Sequence, residues 1–122
     1  MPIITAAEAP VFELEGNVVT ALAAPSRGAH DVSVWRLRLA ADNPSVAHAL
    51  TREETFVVLT GTVTARFDDH AESAAAGGAL IVPAGRRFSL VAEGGPAEAV
   101  CVLPVGGQAV VDDAQFTPPW AE

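Results

Sequence analysis

His48-Ala49-Leu50-Thr51-Arg52-Glu53-Glu54-Thr55-Phe56-Val57-Val58-Leu59-Thr60-Gly61 is the stretch on which the reading of this chain turns. A short run reaches His48, the chain turns, and Thr55–Leu59 is a β-branched and aromatic strand. Thr60-Gly61 is a tight connection, and Thr62–Phe67 reads as the neighbouring strand. Upstream, Val11–Leu14 and Asn17–Leu22 are strands separated by Glu15-Gly16, and the loop APSRGAHD follows. Val32–Leu39 alternates, with Trp35, Leu37 and Leu39 on one face and Val34, Arg36 and Arg38 on the other. Downstream, DDHAESAAAGG reads as a loop, Leu80–Val82 as a strand stopped by Pro83-Ala84-Gly85, and Phe88–Val91 and Ala99–Leu103 as the last strands. The tail FTPPWAE reads as an irregular segment anchored by Trp120. No helical period of useful length occurs. About nine short strands predict an all-β jelly-roll barrel of two antiparallel sheets. One domain spans 1–122, with a barrel core over about 10–104 and an irregular tail over 105–122.

Composition narrows the chemistry. The formal charge of −8 disfavours nucleic acid and anionic membranes, both of which are bound through Lys/Arg surfaces. No apolar run approaches a membrane span, and MPIITAAEAP lacks the basic and apolar regions of a leader, so a cytoplasmic protein is expected. All seven basic residues are arginines, which leaves no amine for Schiff-base chemistry. Tyrosine is absent, and the single Cys101, in the apolar run AEAVCVLPV, reads as a buried inert thiol. Catalysis is thereby narrowed to His, Glu, Asp and Arg, with Ser or Thr only if activated.

The central stretch resembles the first motif of the cupin superfamily, a His-x-His followed by three or four residues, a Glu, six residues and a Gly, with His48, Glu54 and Gly61 in the matching places. The second motif of that family is similar to Gly77-GALIV-Pro83-Ala84-Gly85-Arg86-Arg87-Phe88, where Phe88 takes the place of a histidine. The resemblance implies the cupin barrel. It also implies a metal site of three histidines and a glutamate, and here the sequence departs from it. Leu50 and Phe88 hold two of those four places and offer no lone pair. A divalent transition metal wants three or four N, O or S donors, so no metal site is expected, with His48 and Glu54 as the ligands of a weak one if a metal binds. His30 and His70 lie in polar loops and read as exposed.

If Glu54 points inward as the resemblance implies, strand parity turns Phe56 and Val58 inward too, and His48, Leu50, Phe88 and Leu90 face the same interior. That interior is an apolar pocket with one imidazole and one carboxyl, the character of a small-molecule site. A carboxylate there must be protonated or paired with His48 or an arginine. His48 and Glu54 are the candidate catalytic acid–base pair; the plainer reading makes them a polar remnant bonded to each other. Leu50, Phe56, Val58, Phe88, Leu90, Arg36 and Arg86 are the candidate ligand-binding residues. Arg36 and Arg38 otherwise face outward, and Arg86 or Arg87 otherwise stays at the rim.

Three functions follow. The first is a metal-independent small-molecule binder with at most isomerase-, cyclase- or lyase-like acid–base chemistry. The others are a metal-dependent oxygenase or isomerase with an unusual ligand set, and a non-catalytic structural or regulatory barrel. Whether the protein is an enzyme stays open. A homodimer is expected, because free sheet edges invite partners.

Overall fold

A computed structural model describes all 122 residues. The chain forms twelve strands and two short 3-10 turns. The strands are β1 (Val11–Leu14), β2 (Asn17–Ala23), β3 (Val32–Leu39), β4 (Ala49–Leu50), β5 (Glu54–Thr60) and β6 (Thr62–Arg66). They continue with β7 (Ala71–Ala75), β8 (Ala79–Val82), β9 (Ser89–Val91), β10 (Ala97–Pro104), β11 (Ala109–Val111) and β12 (Ala114–Phe116). No helix is long and apolar enough to cross a membrane.

The strands make one six-stranded antiparallel sheet, ordered β1-β2-β3-β10-β5-β8, and two three-stranded sheets, β12-β11-β4 and β7-β6-β9. A two-bond bridge joins the smaller sheets: His48 N–H donates to Phe88 O at 2.9 Å and Phe88 N–H donates to His48 O at 2.8 Å. The core lies between the large sheet and the two small ones.

Alternation decides which face is buried. In β10, Ala97, Ala99, Cys101 and Leu103 point inward, and in β3, Ser33, Trp35, Leu37 and Leu39 do. Register sets Cys101 between Trp35 of β3 and Phe56 of β5, so a small side chain on the middle strand is flanked by two large ones. The outward set of β3 includes both Arg36 and Arg38.

The structure corrects the sequence reading at two places. The expected loop after β6 contains β7, whose Ala-Glu-Ser-Ala-Ala carries no β-branched residue and is mostly exposed. It is held as an edge strand by its register with β6, including a 2.7 Å hydroxyl–hydroxyl bond between Thr64 and Ser73. The expected irregular tail carries the β11–β12 hairpin, turned at Asp112 with φ of 51°, and its β11 pairs with β4. Strands of three residues give too few alternations to be recognised in sequence. Trp120 does anchor the segment that follows, with its ring 6.0 Å from Phe12 and 6.2 Å from Trp35. Ser33 Oγ donates to Ala121 O at 3.0 Å and fixes the end of the chain.

Gly61 turns the chain between β5 and β6 with φ of +71°, and a Cβ there would lie 2.5 Å from Pro96 O. Gly61→Ala is therefore expected to lose roughly 3 kcal/mol, from left-handed backbone and from the clash with a carbonyl that cannot move freely. Urea denaturation checks this; a loss under about 1 kcal/mol would show that the β5–β6 turn is not set by its glycine.

Candidate functional site

The large sheet and the two small ones do not fill the space between them. A cavity of about 470 Å³, walled in part by the C-terminal segment, is left between them, within the size range of small-molecule sites. Its inner walls are apolar: Val19, Trp35, Leu37, Leu39, Leu50, Phe56 and Leu90. Val111, Phe116, Pro118 and Trp120 add the side contributed by the tail. The β1–β2 hairpin and the loop after β3 shape the mouth, where Glu13, Leu14, Glu15, Asn43, Pro44 and Val46 stand. Asn43 ties these two elements together, donating from its side-chain nitrogen to Glu15 O at 2.8 Å. The buried Asn17 backs the tie by accepting from Ala40 N–H at 3.0 Å.

Glu54 opens β5 and lines this cavity while only 3% exposed. Parity carries it inward together with Phe56 and Val58. No hydrogen bond or cation holds its carboxyl, and burial alone pushes its pKa from the ordinary 4.5 up to about 8. At neutral pH the group is a carboxylic acid with a proton to donate.

His48 lies on the same cavity, half-buried, with its ring 4.6 Å from that of Phe88. Its Nδ1 is 2.9 Å from Val46 O. A carbonyl can only accept, so Nδ1 carries the proton and Nε2 is left with a lone pair. Burial lowers the His48 pKa, against an opposing contribution from the Val46 hydrogen bond, so the ring is neutral at pH 7.

Neither a hydrogen bond nor an ion pair joins His48 to Glu54: the imidazole is held by Val46 and the carboxyl by nothing. The expectation that the two are bonded to each other is corrected here. They are separate polar features on one apolar wall.

The other candidates divide. Leu50, Phe56 and Leu90 line the cavity with His48 and Glu54. Val58 and Phe88 are 1% exposed and do not reach it; both are packed in the core, Phe88 against Phe56 and Phe67. Arg36 is corrected outright. It sits on the outer face of the large sheet and pairs with Glu98 at 2.9 Å, because its parity opposes that of Trp35 and Leu37. Arg86 is also away from the cavity: its guanidinium lies 4.6 Å over the Phe67 ring, and it reaches Asp69 at 3.9 Å. His30 and His70 are exposed. The lining from β11, β12 and Trp120 was missed, because the tail pattern gave no sign that it folds back as a wall.

The donor set does not fit a divalent transition metal. No three His, Cys, Asp or Glu side chains are arranged so that they could hold a metal ion together. On the inner wall only His48 and Glu54 carry suitable atoms, Glu13 and Glu15 being exposed at the mouth, and in the motif the places of two further donors are held by Leu50 and Phe88. Cys101 is fully buried, and burial together with the nearby Glu54 raises its pKa, so it is a thiol and not a thiolate.

The sheets form a small single barrel with the cupin-type fold. No family model matches the sequence, and no curated protein matches it. Solved structures do. The polyketide cyclase RemF from Streptomyces resistomycificus superposes with a TM-score of 0.77 at 16% identity, over 96% of this chain and 84% of that one. A cupin superfamily protein from Desulfitobacterium hafniense DCB-2 gives 0.63 at 16% identity, over 85% and 90%. KdgF from Halomonas sp. gives 0.68 at 13% identity, over 84% and 91%. At these identities the likeness is one of fold.

Proposed function

We propose that this protein binds a small apolar molecule in its barrel and applies acid–base chemistry to it without a metal, in the manner of an isomerase or cyclase. One observation carries this reading: a buried, unpartnered, protonated carboxyl on the wall of an apolar cavity. An unpaired polar group in such a place costs stability, and a ligand oxygen accepting its proton would relieve that cost.

Glu54 supplies the acid and the free Nε2 of neutral His48 the base. With a ketone bound, His48 removes a proton from the carbon beside the carbonyl while Glu54 donates one to the carbonyl oxygen. The product is an enol, with one proton taken from carbon and one given to oxygen. Attack of that enol carbon on a second carbonyl of the same molecule would close a ring. The match to a polyketide cyclase supports such a reaction class by analogy of fold.

The test uses 2-decalone, a neutral bicyclic ketone small enough for the cavity. Proton NMR in D₂O follows loss of its α-proton signals. Exchange is expected to run faster with protein than with buffer alone. Both Glu54→Leu and His48→Ala should lose at least about tenfold of that acceleration. Binding without any acceleration would sink the acid–base half of the reading.

A further inference from the structure

We infer that the cavity takes an uncharged apolar ligand bearing a carbonyl or hydroxyl oxygen and excludes organic anions, because no cation reaches its walls and two carboxylates stand at its mouth. This rests on the small-molecule reading above and adds the charge class of the ligand.

The positive charges of the chain are all accounted for elsewhere. There are seven arginines and no lysine, and none of the arginines lines the cavity. Arg36, Arg66, Arg86 and Arg87 lie beside Glu98, Glu93, Asp69 and Asp112 in turn. Arg27 donates from Nε to Leu22 O at 2.9 Å, and Arg38 and Arg52 are exposed. The only imidazole on the wall is His48, and burial keeps it uncharged.

An anion entering this space would surrender its hydration with no guanidinium or ammonium to replace it. That cost is several kcal/mol for a carboxylate in an apolar site. The approach is also unfavourable. Glu13 and Glu15 are exposed on the β1–β2 hairpin at the entrance, and the whole chain carries −8. A neutral oxygen has the opposite fate. It accepts a hydrogen bond from the protonated Glu54 carboxyl, and Trp120 Nε1, a buried donor with no partner in the protein, belongs to a residue of the same lining. Ring systems suit the remaining surface, since Trp35, Phe56 and Trp120 are part of its lining.

The protein carries its own reporter. Its two tryptophans, Trp35 and Trp120, both line the cavity, so their emission responds to occupancy. We would titrate 2-decalone and decalin-2-carboxylate, which share the decalin ring system, at pH 7 and low salt, correcting the emission for the weak near-ultraviolet absorption of the ketone. The ketone is expected to bind at least about tenfold more tightly than the carboxylate. The Glu13→Gln, Glu15→Gln double variant, altered only at exposed positions, should narrow that ratio by about two- to threefold, and salt should do the same. A ratio below about tenfold, or a preference for the carboxylate, overturns the charge class while the cavity still binds. No emission change with either compound overturns the small-molecule reading itself.

Discussion

Glu54→Gln is expected to change the pH dependence of stability more than any other single substitution in this chain. In the folded protein Glu54 holds its proton up to about pH 8, whereas in the unfolded chain it releases it near 4.5. Between those values the native state binds one proton more than the unfolded state. Stability from this group is therefore full below about pH 4.5, falls as pH rises, and is lost by about pH 8. Over the three units from pH 5 to pH 8 the loss is about 4 kcal/mol. Glutamine keeps the shape and does not titrate. Subtracting the two stability curves, measured by urea denaturation at each pH, cancels the other carboxylates. The difference should move by about 4 kcal/mol in favour of glutamine between pH 5 and pH 8. The same experiment bears on function, since the acid proposed for catalysis is the form lost above pH 8. Parallel curves would mean that Glu54 is ionised at neutral pH and is no proton donor.

Phe88→Ala is expected to be the most damaging truncation, at about 3–5 kcal/mol. Phe88 is 1% exposed, its ring lies edge-on to Phe56 at 5.9 Å, and it supports the His48 imidazole at 4.6 Å. Its removal leaves a hole bounded by rings that cannot collapse into it. Leu50→Ala is the control, because Leu50 already borders open cavity and its loss only widens that space. A cost of about 2 kcal/mol is expected there, mostly the transfer of the lost methyls. Should Leu50→Ala prove the costlier of the two, Phe88 would not be filling the core as its burial implies. The pair also separates two substitutions that look alike against the cupin motif. Both remove a lone pair from a ligand place, yet one closes the core and the other shapes the pocket.

Much of the fold was legible because β-sheet burial follows parity. Val32–Leu39 shows two faces in its letters, and the structure buries Trp35, Leu37 and Leu39 as the alternation requires. The same rule carried Glu54 and Phe56 inward from the stretch 48–61. Parity says nothing about what lies across the sheet, and there the sequence reading failed. It left Arg36 and Arg86 as possible pocket residues, and each is bound to an outer acidic partner instead. Nor could it tell that Val58 and Phe88 are inward but sealed off, while Leu50 and Leu90 are inward and open.

By itself the sequence determined an all-β barrel, an acidic surface without lysine, and an inward histidine and glutamate whose usual metal-site companions are a leucine and a phenylalanine. These are properties of local pattern and composition, which a single strand carries in its own letters. Only the tertiary structure decided that the tail returns as the β11–β12 wall with Trp120 in the lining, that a cavity survives there, and that His48 and Glu54 do not bond to each other. Those outcomes depend on contacts between residues far apart in the chain, Phe12 with Trp120 among them, where packing and desolvation act and no sequence period reaches.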